Sequence, residues 1–161
     1  MKRSFKVLML AACAVLLISA KSIKTRKLMQ AKGTFEVKLN PADGVALEKE
    51  AGVGRMTIDK TWSGDLAGTS KGSMLMSSTE STGAMAYVAL EKVDGKLGGK
   101  TGSFYFSHSA TMNKSDAASG VLKIMVVPGS ATGDLAGMSG ELSINIDAKG
   151  AHSYILQYEL P

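Results

Sequence analysis

The chain has 161 residues, 45% of them hydrophobic and 20% charged, with a formal net charge of +5 and one cysteine. That length suits one domain plus a leader, and such a domain can stand on an apolar core without disulfides. Lys2, Arg3 and Lys6 sit at the extreme N-terminus, so the remainder carries sixteen of the nineteen bases against fourteen acids, a balance that excludes a nucleic-acid-binding polycation.

The first element is a leader. Its basic start is followed by an apolar run from Val7 to Ile18 and the small residues Ser19 and Ala20. That order predicts a signal peptide over 1–20, cut after Ala20. The run is short of the about 20 apolar residues a transmembrane helix needs. Export to the periplasm or medium is expected, with no stable membrane span after cleavage. Leu10-Ala11-Ala12-Cys13 offers an alternative, a lipobox anchoring the protein through Cys13, although the apolar run continues past the cysteine. A signal helix that is never cut is a third reading. Lys21, Lys24, Arg26 and Lys27 then mark a basic, flexible tail over 21–31, and the domain proper spans 32–161.

From there the periodicity is two. Phe35, Val37 and Leu39 alternate with polar neighbours, as do Met56, Ile58, Lys60 and Trp62, then Leu142, Ile144 and Ile146, then Tyr154, Leu156, Tyr158 and Leu160. Such alternation predicts strands with one dry face. Eight are expected, over 32–40, 53–63, 66–77, 84–93, 98–112, 120–128, 135–147 and 151–160. Ser63-Gly64-Asp65, Asp94-Gly95 and Gly150 read as tight turns. Longer loops are expected at 41–52, where one helical turn fits, and at 78–83 and 113–119.

The pentapeptide GDLAG occurs at Gly64–Gly68 and again at Gly133–Gly137, with a looser copy at Gly95–Gly99. Each lies where one alternating segment gives way to the next. We read them as corners joining strands two to three, six to seven and four to five, with Asp65 and Asp134 in the turns. A closed eight-stranded antiparallel barrel, which leaves no exposed edge, is the expected all-β fold. A two-sheet sandwich is the alternative.

Four segments carry a resemblance: Met56 to Gly72 (MTIDKTWSGDLAGTSKG), Gly83 to Glu91 (GAMAYVALE), Gly102 to Met112 (GSFYFSHSATM) and His152 to Pro161 (HSYILQYELP). Together they resemble a bacterial domain-of-unknown-function family of small β-barrels related in fold to allene oxide cyclase. The resemblance runs from about Gly33 to the C-terminus. It implies an eight-stranded barrel of the allene-oxide-cyclase-like, calycin-like type and no established activity. By the same analogy a trimer, or another oligomer, is conceivable. The leader departs from the family pattern.

Several motifs tempt and fail. Gly68-Thr69-Ser70-Lys71-Gly72 spells GxSxG, but a nucleophile elbow needs a strand-to-helix turn, and here a strand begins. Asp94 to Thr101 approaches a P-loop but lacks its first glycine and the helix that must follow. His108 and His152 lack metal-ligand spacing, so neither a metal nor another cofactor is expected.

Glu91 shares parity with Met85, Tyr87, Ala89 and Val93, and His108 with Phe104 and Phe106. If those faces point inward, a carboxylate and an imidazole enter the barrel together. There they would act as an acid/base or ligand-orienting pair. The plainer alternative is a rim salt bridge or side chains in water. Trp62, Tyr87, Phe106, Tyr154, Met74 and Met76 are candidate ligand contacts, with solid core packing as the alternative. Three functions follow. An exported barrel would bind a small apolar or aromatic molecule. A cofactor-free isomerase or cyclase is suggested by fold analogy alone. A solid barrel with a structural or envelope role is the third.

Overall fold

A computed structural model of the protein describes residues 26–161. The signal-peptide and Cys13 readings lie outside the described residues. Eight strands form one closed barrel in which each is hydrogen-bonded to the next and the last to the first. In chain order they are β1 (Lys27–Ala42), β2 (Gly54–Gly64), β3 (Leu66–Thr79), β4 (Ala84–Leu97), β5 (Lys100–Asn113), β6 (Asp116–Val126), β7 (Ser139–Ile146) and β8 (His152–Leu160). All neighbouring pairs are antiparallel, and β1 closes the ring against β8 from Lys27↔Leu160 to Phe35↔His152. Period-two alternation is what permits this. Ile58, Lys60 and Trp62 of β2, and Ala89, Glu91 and Val93 of β4, point into the barrel, while their sequence neighbours face out.

The connections depart from the sequence reading in four places. Strand β1 begins at Lys27, because β8 is long enough to pair with Lys27 to Ala31; those residues belong to the barrel, not to the tail. The 113–119 loop collapses to a tight hairpin, since Asn113 pairs with Asp116. Asp94-Gly95 is not a turn, because β4 continues to Leu97 and the reversal falls at Gly98-Gly99. The second GDLAG does lie between β6 and β7, but as a single 3-10 turn over Gly133–Leu135. The short helix expected in 41–52 is α1 (Ala46–Glu50).

The two full GDLAG copies share one construction. The Asp65 carboxylate accepts a hydrogen bond from Lys32 N at 2.8 Å, and the Asp134 carboxylate accepts one from Thr101 N at 3.2 Å. Each corner thereby grips the backbone of a strand 33 residues earlier in the chain. Both aspartates are exposed, while Leu66 and Leu135 are fully buried beneath them. Gly64 has φ +106°, and a Cβ there would stand 2.6 Å from Lys32 O and 2.7 Å from Gly33 Cα, so no other residue fits the first corner without strain.

The barrel interior has two halves. Leu66, Leu97 and Leu135 lie in the half with the corners, together with Trp62, Phe104, Phe106, Tyr154 and Leu156. Phe104 and Phe106 meet edge to face at 4.9 Å, and Trp62 meets Tyr154 edge-on at 5.2 Å, so this half is filled by its own rings. The Tyr154 hydroxyl accepts the Leu66 N–H at 2.9 Å and pins the first corner from within. The other half holds a looser cluster of Ile58, Met74 and Ala89, flanked by Val37, Met56, Met76 and Tyr87.

Candidate functional site

At the boundary between the two halves the barrel carries charge. Glu91 is fully buried, and Lys60, Ser70 and His108 beside it are each less than a tenth exposed. Lys60 Nζ donates to Glu91 Oε2 at 2.7 Å, and the Ser70 hydroxyl donates to Oε1. The direction of the second bond is set by Trp62. Its indole N–H, which can only donate, reaches Ser70 Oγ at 2.8 Å, leaving the serine proton for the carboxylate. His108 Nε2 lies 3.0 Å from Oε2 but makes no aligned hydrogen bond. The Lys60 ammonium also stands 4.9 Å from the Phe35 ring centroid and 5.0 Å from that of Trp62, close enough for cation–π attraction.

The register explains how these groups meet. Lys60 pairs with Ser70 across β2–β3, while Gly72 pairs with Glu91 across β3–β4. A Cβ on Gly72 would stand 2.9 Å from Glu91 Cα. The bare position lets the β4 backbone at Leu90 and Glu91 close up against β3, and the long Lys60 side chain, level with Ser70, reaches Glu91 one strand further on. His108 pairs with Ala89, and Phe106 with Glu91, so His108 lies one inward step from the carboxylate. The glycines of GTSKG thus let β4 pack closely against β3, and no elbow forms, since β3 runs on to Thr79.

Burial pushes the Glu91 carboxyl up. The neighbouring His108 imidazole, the charge and hydrogen bond of Lys60 and the Ser70 hydroxyl together outweigh it and hold the group below its ordinary value. It is an ionised carboxylate. Tyr87 is pushed up, first by burial and then by the nearby Glu91 charge, and stays neutral.

Above this layer lies a cavity of about 340 Å³. Its walls include Val37, Met56, Ile58, Met74, Met76 and Met85, and it reaches the barrel end where Leu39, Met112 and Ile146 are exposed. Its polar lining groups are Lys60, Tyr87, His108 and His152; Glu91 lies behind them. A larger hollow of about 500 Å³ lies against β3–β6 and is lined by Leu75, Val88, Thr111 and Val121 among others. No charged side chain lines it, so the barrel cavity is the better candidate.

Of the residues singled out from the sequence, the structure brings Glu91 and His108 together at mid-barrel. They form neither a rim pair nor solvated side chains. Tyr87, Met74 and Met76 line the cavity. Trp62, Phe106 and Tyr154 do not; as ligand contacts they are corrected to core residues, because the strand stagger carries them into the filled half. Lys60 and Ser70 were missed as site residues. The available signal was parity, since Lys60 stands among Met56, Ile58 and Trp62, and Ser70 stands between Leu66 and Met74. Among the described residues no group of three or more His, Cys, Asp or Glu side chains could hold a metal, and no helix is long and apolar enough to cross a membrane.

No curated protein matches the chain. A crystal structure of a protein of unknown function from the DUF3224 family, from Shewanella oneidensis MR-1, is 37% identical, covering 84% of this chain and 98% of that one, with a TM-score of 0.74. The family described as protein of unknown function (DUF3224) matches residues 31–158, which takes in β2 to β7, most of β1 and β8, and the whole buried charge layer. This chain therefore belongs to the DUF3224 family of small closed β-barrels.

Proposed function

We propose that the protein is an exported binding module that holds a small molecule with an apolar body in the open half of its barrel. The observation that carries the reading is the cavity of about 340 Å³ with methionine-rich walls and a polar floor. Small-molecule sites begin at about 300 Å³ and combine apolar walls with a few convergent polar groups. Methionine walls adapt to irregular shapes. The leader sequence supports the exported location. Binding is favoured over catalysis by the state of Glu91. A general base works best with a pKa near the working pH, and this carboxylate is held low and is already engaged by Lys60 and Ser70.

The test is to purify the protein from its native host and identify co-purifying small molecules by mass spectrometry. The same is done for Met74→Trp, which fills the cavity from β3. A compound carried by the wild type and absent from the variant is the expected result. A compound that persists in the folded variant, or none at all in the wild type, contradicts the reading.

A further inference from the structure

The cavity floor offers more hydrogen-bond donors than acceptors. Lysine offers three donors and no acceptor. One Lys60 proton goes to Glu91, and the remaining contacts of the ammonium are the faces of Phe35 and Trp62. His108 Nε2 is buried 3.0 Å from Glu91 Oε2 without an aligned hydrogen bond to it. Tyr87 and His152, the other polar lining groups, can each donate one hydrogen bond and accept as well. No acid lines the cavity, because the single nearby carboxylate, Glu91, is sealed behind Lys60 and His108. A donor-rich floor that includes a lysine ammonium, beneath apolar walls, asks for a ligand with a strong acceptor at one end and hydrocarbon at the other.

We propose that the ligand is a small apolar monocarboxylate whose carboxylate sits on Lys60 and His108 and whose hydrocarbon body lies among Met56, Met74 and Met85. This rests on the cavity-binding reading above. Charge-assisted hydrogen bonds at 2.7–2.9 Å are about twice as strong as neutral ones, so the head group, not only the body, sets affinity. A neutral amide of the same body keeps the apolar contacts, loses the charge and brings its own N–H donors to a floor that already has donors to spare.

The probes are octanoate and benzoate, each against its primary amide, at neutral pH. Binding is followed by calorimetry and by the fluorescence of Trp62, the one tryptophan in the chain, whose ring lies 5.0 Å from Lys60 Nζ. The acid is expected to bind about tenfold or more tightly than its amide. His108→Gln should narrow that ratio. So should the paired change Lys60→Met with Glu91→Gln, which removes both buried charges together and so keeps the fold where Lys60→Met alone would strand a carboxylate. If amide and acid bind equally, or the ratio survives both variants, the head-group assignment is overturned while cavity binding stands. If no acid or amide binds, the cavity-binding reading falls and this one with it.

Discussion

Glu91 is a buried carboxylate that accepts from a lysine and a serine, and its environment predicts how the protein responds to substitution. Removing one member of a buried ion pair costs about 3–5 kcal/mol, because the other charge is left in a dry interior. Lys60→Met should therefore lower stability by about that amount in urea denaturation, and adding Glu91→Gln should restore much of it. A double variant as unstable as the single one would show that the pair is not the cause. The pH dependence has a definite sign. A carboxyl whose folded pKa is depressed contributes stability above its unfolded value, here about 4.5, and loses it as pH falls through the folded value. Wild type should lose stability on acidification below about pH 4.5, and Glu91→Gln should show a shallower acid slope there. Parity grouped Glu91 and His108 with apolar neighbours and left open whether those faces point inward or toward the rim. It could not show that Lys60 is the partner of Glu91, because a lysine on an apolar face also reads as a side chain snorkelling toward the rim. Gly72, where β4 closes up against β3, sits in sequence inside the GxSxG string.

At the scale of elements, the corners hold the barrel in register. Gly64 adopts a left-handed backbone and touches Lys32 and Gly33, whereas Gly150, with φ +84°, faces open space in the β7–β8 turn. Gly64→Ala combines a strained backbone, about 1–3 kcal/mol, with a clash, so its melting temperature should fall well below that of Gly150→Ala, which bears only the backbone cost. Equal losses would mean that the corner contact is unimportant. Asp65→Ala removes one exposed hydrogen bond to Lys32 N and should cost only about 0.5–1.5 kcal/mol. The strands and the β2–β3 corner were readable in the sequence because alternation and a Gly-Asp turn are local signals. The early start of β1, the tight Asn113–Asp116 hairpin and the shift of the β4–β5 turn to Gly98-Gly99 were not, because each is set by how far a neighbouring strand extends.

The whole barrel is divided along its axis, and that division decides where a ligand can go. Alternation tells which side chains point inward, but their height depends on stagger and register across eight strands. For this reason Trp62, Phe106 and Tyr154 belong to the filled half, while Met74, Met76 and Tyr87, equally inward by parity, line the cavity. The closed barrel itself was readable, since eight alternating segments with short connections leave few other ways to satisfy every edge. The most direct test of cavity binding is the methyl spectrum of 13C-methionine-labelled protein titrated with octanoate. Met56, Met74, Met76, Met85 and Met112 line the cavity, and Met138 is buried in the filled half. Shifts confined to the cavity methionines, with Met138 unmoved, are predicted. An unchanged spectrum at saturating octanoate, or shifts centred on Met138, would contradict it.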